Sequence, residues 1–518
     1  MQNRRQKLLN WAEIIFVAVA IAVRVYFIYL PFKVFDYLVV PGDDGVNHFR
    51  MINEVLSGNY NFVYPKLFHI FIAKFSLITG MGVMDSLKAV TPFLMVLPSI
   101  AIYIFARKQF GRLAGIISFT IMLWGGTSYG LVAFGDGNYP NIIAAGFFMP
   151  LALLYMLESL KKGRLYNYLL AALFFGLTVL THHLTTAMTL VIVVSYLVTL
   201  GVWNKFEKVA PNFKKVALFI FILIALTVVA ISSTSLRTMF VSAWQSISTN
   251  GSVLTVKSFA KLLPYDDHAA QIGGLTWFGG LLSLFFLIYI MGKKEEGKHR
   301  AAYLLVFVWV AVIFVLSRIE DISLPARFAR ELAFPLVLSL GVMITVILNR
   351  LPKYSRIFAA GLFGFIIFTN LTQVNSGAYR APEFFNKMVW FSQKDKEEAD
   401  YLRTSTDPAD KIVANPTTPY LPVFAQRNIE FLSPVYLTGQ KTIKAYLSQT
   451  NPKYIFVGSK TAANPDGASY SFFADFTQLS DALTQYAKDQ KLTIAKEFTD
   501  GSVLYVFEPV KKVPKSPN

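Results

Sequence analysis

The stretch Pro41-Gly42-Asp43-Asp44-Gly45-Val46-Asn47-His48-Phe49-Arg50 places two carboxylates and an imidazole directly after a turn. The Pro-Gly pair predicts a helix start that Asp43 could cap, and Asp44 and His48 then fall four residues apart on one helical face. A carboxylate beside an imidazole can orient or deprotonate a hydroxyl; an N-cap followed by a solvated His is the plainer account of the same spacing. Phe134-Gly135-Asp136-Gly137-Asn138-Tyr139-Pro140-Asn141 sets one acidic residue in a Gly-flanked turn. There Asp136 is either a turn residue or a second carboxylate or metal ligand. Thr181-His182-His183-Leu184-Thr185-Thr186 carries two of the chain's six histidines at an apolar junction, and imidazole there could bind metal, donate to phosphate or titrate near neutrality. Ser317 to Glu331 contains Arg318, Arg327 and Arg330. Forked guanidinium groups suit a phosphate, with pairing to Glu320, Asp321 or Glu331 as the competing reading. Arg24 inside an apolar run is a further candidate, as an intramembrane charge or a snorkelling one. Tyr265-Asp266-Asp267-His268 repeats the acidic theme as a lid or an ordinary loop.

These groups need elements to position them, and the composition says which kind. Of the 518 residues 54% are hydrophobic and 15% charged, well below the charge usual for soluble domains. Runs long enough to cross a bilayer lie near 11–32, 86–106, 112–133, 139–157, 166–182, 184–203, 215–233, 274–292, 301–317, 330–348 and 356–374. The expected fold class is therefore an α-helical polytopic membrane protein with about eleven transmembrane helices. The first run is too long for a cleaved signal core and lacks a small-residue cleavage site, so it is expected to stay as a helix.

Sidedness follows from charge. With the N-terminus inside, the six inward segments hold 20 of the 32 Lys and Arg before residue 375, while outward segments hold 11 of the 16 Asp and Glu. This predicts a plasma-membrane protein with a cytoplasmic N-terminus and acidic outer loops. The formal charge of +18 then reflects topology and anionic lipid, and implies no nucleic-acid partner. Pro65 to Gly80 is apolar but short and interrupted by Lys66, His69 and Lys74, so it is expected at the outer interface within a stretch of interfacial helices over about 34–85. From residue 375 the apolar runs shorten. Helical patterns at 393–404, 440–449 and 478–489 alternate with strand-like Lys411 to Ala414, Tyr454 to Val457, Leu492 to Lys496 and Val503 to Phe507. Two domains are expected, a membrane domain over 1–374 and an extracytoplasmic α/β domain over 375–518. Without cysteine there is no disulfide framework and no thiolate site.

In this order the features resemble the GT-C superfamily of integral-membrane glycosyltransferases, of the protein O-mannosyltransferase and aminoarabinose transferase type. The resemblance is carried by the acidic first outer loop with Asp43 and Asp44, the Tyr64-Pro65 start of a second interfacial helix, the acidic turn at Asp136, and the run from Arg327 to Leu336 that leads into a late span. It implies a sugar donor on a polyprenyl phosphate and an acceptor that is protein, lipid or glycan. It assigns Asp44, with Asp43 as alternative, as catalytic carboxylate, and Arg327, Arg330 and Arg318 as holders of the donor phosphate. His48, Asp136, His182 and His183 are left to complete an acceptor site or a divalent-metal site for Mg or Mn. There is no Trp-Trp-Asp motif and no second acidic residue at the Asp136 turn, which points away from protein N-glycosylation and toward transfer of a single sugar. The competing classes are a transporter or lipid-linked glycan flippase, and an O-antigen ligase or polymerase.

Overall fold

A chain with this much apolar sequence satisfies its backbone within helices, because a helix closes its hydrogen bonds internally wherever water is excluded. The computed structural model describes residues 2–34, 37–40, 43–60, 64–125, 137–207, 272–293, 297, 299–317, 325–352, 354–355, 357, 361, 364, 391–415, 418, 420–432, 440–459 and 471–507. The predicted spans near 215–233 and 356–374, apart from 357, 361 and 364, lie outside these residues, as does the Tyr265–His268 segment. The chain divides into two compact units. One comprises Met1–Ile28, Met51–Phe134 and Asn138–Val374; the other comprises Tyr29–Arg50, Gly135–Gly137 and Asn375–Asn518.

The first unit is helical among the described residues. It takes in most of α1 (Gln2–Val34) and the end of α2 (Asp43–Leu56), then α3 (Leu67–Thr79), α4 (Val83–Leu94), α5 (Leu97–Phe110) and α6 (Arg112–Thr120). A π-helical turn at Ile121–Gly125 follows. Next come α7 (Tyr139–Ile143), a second π-helical turn at Ala144–Phe148, α8 (Met149–Lys162), α9 (Leu165–Thr181) and α10 (His183–Glu207). The unit continues with α11 (Gly274–Met291), α12 (Arg300–Leu316), α13 (Pro325–Glu331) and α14 (Ala333–Arg350). Among the described residues six helical stretches are long and apolar enough to cross a membrane: Leu8–Leu30, Val83–Phe110, Tyr139–Lys162, His183–Trp203, Gly274–Met291 and Phe328–Arg350. Helix α3, at 13 residues, spans only about 20 Å, short of the roughly 30 Å apolar core of a bilayer.

Burial ranks the helices. In the most apolar window of Tyr139–Lys162, 83% of residues are buried, and of Phe328–Arg350 78%, against 17% for Leu8–Leu30. Helix α14 is thus central, packing on α5, α6, α11 and α12. Its approach to α11 is set by small groups: a Cβ added to Gly280 would lie 2.6 Å from Leu336 Cβ, and the hydroxyls of Ser283 and Ser339 hydrogen-bond across the same contact. At one end of the bundle Glu13 of α1 is buried and accepts from Tyr103, Arg107 and Arg112, so three donors hold one carboxylate. Arg24 is also buried, with its guanidinium 5.2 Å from the Trp124 ring centroid, an aromatic partner in place of exposure.

The second unit contains a five-stranded sheet in the order β2-β1-β3-β5-β4. Strands β1 (Lys411–Ala414), β2 (Asn428–Phe431) and β3 (Tyr454–Val457) are parallel; β4 (Thr493–Glu497) and β5 (Val503–Val506) close the sheet as an antiparallel hairpin. Helices α15 (Gln393–Ser405), α16 (Leu421–Ala425), α17 (Gln440–Thr450) and α18 (Ser471–Asp489) accompany it. Val413, Ile443, Leu447, Ile455, Leu479 and Leu483 form the core. A capping box starts α15, in which Asp395 accepts from both the amide and the hydroxyl of Ser392. One turn on, Glu398 is buried beside Asp500 and Ser502; burial first, then the Asp500 charge, pushes its carboxyl up to about 9.

Two outcomes follow from these contacts. Gly280→Ala is expected to cost about 1–3 kcal/mol by overpacking, seen as a lower melting temperature in detergent. Gly176→Ala, where an added Cβ meets nothing within 4 Å, is expected to leave it unchanged or raise it. Because folding raises the Glu398 pKa from 4.5 to about 9, the folded state holds the extra proton, so stability falls as pH climbs through that window. Glu398→Gln is expected to flatten that fall in a melting series from pH 5 to 9, and an unchanged slope would remove Glu398 as its source.

Candidate active site

In the first unit the ends of α3, α7, α9, α10 and α13 gather a polar cluster in apolar surroundings. Helix α7 starts with Tyr139-Pro140-Asn141, where proline suits the first turn because its missing N–H would be unpaired there anyway. This puts the Asn141 side chain, 3% exposed, between two neighbours. Its Nδ2 donates to Glu331 Oε1 at 3.0 Å, and its Oδ1 accepts from Thr185 Oγ1 at 2.8 Å. The Thr185 hydroxyl lies 2.8 Å from His182 Nδ1. The backbone N–H of Thr185 donates to the same Nδ1 at 3.3 Å. Four side chains from three separated stretches of sequence thus form one connected chain, Glu331 to Asn141 to Thr185 to His182.

Aromatic contacts extend the cluster. The Tyr64 ring lies 5.6 Å from His69, 6.2 Å from His182 and 6.5 Å from His183, centroid to centroid. His69 donates Nδ1–H to the Pro65 carbonyl, and burial pulls its pKa down to about 4, so it is neutral at physiological pH. Arg330, one residue from Glu331 on α13, is 2% exposed.

The second unit holds the first turns of α2. The helix begins at Asp43 itself, one position earlier than a helix that Asp43 merely caps. Asp44 and His48 do fall one turn apart on it, with Asp44 partly exposed and His48 buried. The segment before it is tied to the α/β unit: Leu38 N–H donates to the Phe391 carbonyl, and burial followed by the Asp395 charge pushes the Tyr37 phenol up to about 12. Phe49 stacks near Phe424, which in turn stacks on Phe391.

Of the residues singled out from sequence, Asp44, His48, His182, His183 and Arg330 are described with their side chains. Asp43 and Arg327 are described in backbone, at the starts of α2 and within α13, their side chains lying outside the described residues; Asp136 and Arg318 lie outside them altogether. His182 and His183 share one cluster around Tyr64. Among the described residues no three His, Asp or Glu side chains gather closely enough to hold a metal ion. Sequence reasoning passed over Asn141 and Thr185 and treated Glu331 only as a partner for arginine. A usable signal was present, because Thr185 stands three residues after His182, the spacing at which a helix-start side chain meets its neighbour.

Residues 64–231 match the family model of dolichyl-phosphate-mannose-protein mannosyltransferases. No curated protein matches the chain. Among solved structures, the archaeal oligosaccharyltransferase AglB from Archaeoglobus fulgidus, in complex with an inhibitory peptide and a dolichol-phosphate, is similar with a TM-score of 0.65 and 11% identity, over 98% of this chain and 75% of that one. ArnT from Cupriavidus metallidurans in the apo state is similar with a TM-score of 0.58 and 14% identity, over 96% of this chain and 98% of that one. The chain has the GT-C fold. Arabinofuranosyltransferase AftD from Mycobacteria shares this fold with a TM-score of 0.53 and 14% identity, over 95% of this chain but 41% of that one. The GT-C likeness drawn from the acidic loop, the Asp136 turn and the arginine run is borne out, and with it a multi-pass membrane protein.

The connected chain makes a measurable claim on stability. Thr185→Val and Asn141→Leu each remove a buried partner, at about 1–3 kcal/mol apiece. The double variant is expected to cost less than their sum by roughly 0.5–3 kcal/mol, since both act on one chain. Additive losses in detergent melts would separate the two contacts.

Proposed function

We propose that the protein is a membrane glycosyltransferase that moves a sugar from a polyprenyl-phosphate-linked donor to an acceptor on the outer face of the plasma membrane. The observation that carries this reading is the fold: nearly the whole chain follows AglB, an enzyme solved with a dolichol-phosphate, and ArnT, also solved with undecaprenyl phosphate. The match of residues 64–231 to dolichyl-phosphate-mannose-protein mannosyltransferases favours a single sugar carried on one phosphate. The basic turns support a cytoplasmic N-terminus, with the α/β unit outside.

In this reading Asp44, with Asp43 beside it, orients the acceptor hydroxyl. The acceptor oxygen bonds to C1 of the sugar while the C1–O bond to phosphate breaks, and the bonding pair departs with the polyprenyl phosphate. An ordinary Asp is ionised at neutral pH and is a weak base, so it acts chiefly by position and by stabilising the positive charge that grows on the sugar, taking the acceptor proton as the new bond forms. Phosphate needs no acid to leave, but its growing charge needs cations. Arg330, Arg327 and Arg318 supply them. The His182 imidazole, held at Nδ1 by Thr185 and through it by Asn141 and Glu331, contacts a sugar or acceptor hydroxyl, and His183 stacks on Tyr64.

The test uses the full-length protein in detergent with dolichyl-phosphate-mannose and a panel of other polyprenyl-phosphate sugars, scoring release of the lipid phosphate. Asp44→Asn is expected to lower turnover about 100-fold or more, in the range set by losing a positioned acid–base group. Arg330→Lys, which keeps charge but loses the fork, is expected to raise the donor KM about tenfold with a smaller effect on kcat. Full activity in Asp43→Asn and Asp44→Asn alike would remove the mechanism. Transport of the lipid without sugar release would favour a flippase instead.

A further inference from the structure

Tyr420 of the α/β unit is fully buried, and its hydroxyl donates to the carbonyl of Val40 at 2.7 Å, across 380 residues of chain. Val39 and Val40 are themselves fully buried, so this carbonyl has no water to turn to. The same hydroxyl lies against Gly45, where an added Cβ would come within 2.4 Å of Tyr420 Oη. Gly45 sits in the first turn of α2, one residue after Asp44, and it is not among the glycines with positive φ. The backbone there accepts any L-residue, and glycine in a helix is about 1 kcal/mol worse than alanine. A helix that keeps glycine at that cost, without needing its φ, keeps it for the space, and the atom that takes the space is the Tyr420 oxygen. Phe391 and Phe424 flank the Tyr420 ring at 6.3 Å, fixing its direction.

We propose that Tyr420 is a positioning residue through which the C-terminal α/β unit sets the place of the Asp43–Asp44 turn. The hydroxyl holds Val40 by its carbonyl and meets the helix at Gly45, so the first turn of α2 is tied to the same side chain as the chain before it. The proposal rests on the reading of Asp44 as the working carboxylate, but the grip itself is measurable without activity.

The test is a two-residue cycle in the full chain in detergent, with Tyr420→Phe, Gly45→Ala and the double variant. Amide hydrogen exchange over residues 43–48 reads the turn, and turnover with the donor that the wild-type protein uses reads the chemistry. Tyr420→Phe is expected to speed exchange there roughly fivefold to tenfold, the worth of one buried hydrogen bond, and to lower kcat while the donor KM stays constant. Gly45→Ala alone is expected to speed exchange and lower kcat more severely. Adding Tyr420→Phe removes the oxygen that the new methyl strikes, so the double variant is expected to recover exchange and kcat relative to Gly45→Ala. Additive damage in the double variant overturns the grip, as does unchanged exchange in either single variant. If Asp44→Asn keeps full turnover while the exchange pattern holds, the carboxylate reading fails and the grip stands.

Discussion

A carboxylate 2% exposed at the end of a short helix must be given donors, and the hydrogen bond from Asn141 to Glu331 Oε1 supplies one. Buried charge without partners costs several kcal/mol, so the place of Glu331 constrains its neighbours. Asn141 has to stand at the first turn of α7, which proline starts, and its remaining oxygen then selects a hydroxyl, that of Thr185. The hydroxyl in turn meets Nδ1 of His182, where the Thr185 amide also donates. One buried polar need, passed from side chain to side chain, ties three helix ends together. The bundle beneath supplies rigidity by a different means, with glycine and serine letting α11 and α14 approach closely.

The chemistry proposed for the protein asks for two unlike environments. A leaving phosphate requires cations whose charge is not dissipated by water, and Arg330, buried on a short helix, has that setting. A carboxylate that orients an acceptor must be reachable, and Asp44, partly exposed on a helix whose other face is buried, has the other. His69, neutral because it is buried, and Glu398, protonated for the same reason, illustrate how strongly burial alone sets charge in this molecule.

Much of this was legible before any coordinates. The apolar runs mark helices because their length is dictated by the bilayer, and strands such as Lys411–Ala414 and Tyr454–Val457 stand out by β-branched and aromatic content between turn residues. The helix of Asp44 and His48 was readable from a Pro-Gly turn. Strand β2 and helix α16 were not, since Leu421-Pro422-Val423-Phe424-Ala425 and Asn428-Ile429-Glu430-Phe431 are too short for a period to emerge. The Asn141–Thr185–His182 chain was hidden for another reason: its members lie 44 and 190 positions from their partners, and no local pattern links an asparagine to a distant threonine or glutamate. Tyr420 was equally silent, because a glycine inside a helix does not say which atom fills its missing side chain.

The π-helical turn at Ala144–Phe148 lies between Asn141 and the long α8. A π turn holds one more residue than the α-helix it interrupts, and each residue advances a helix by about 100°. The direction in which Asn141 leaves its axis is therefore tied to the number of residues between it and the buried face of α8. Along this stretch, side chains are open to exchange for others of similar size, whereas loss or gain of a single position would rotate the asparagine out of phase with its two partners. Heredity would be expected to keep count here more strictly than it keeps identity.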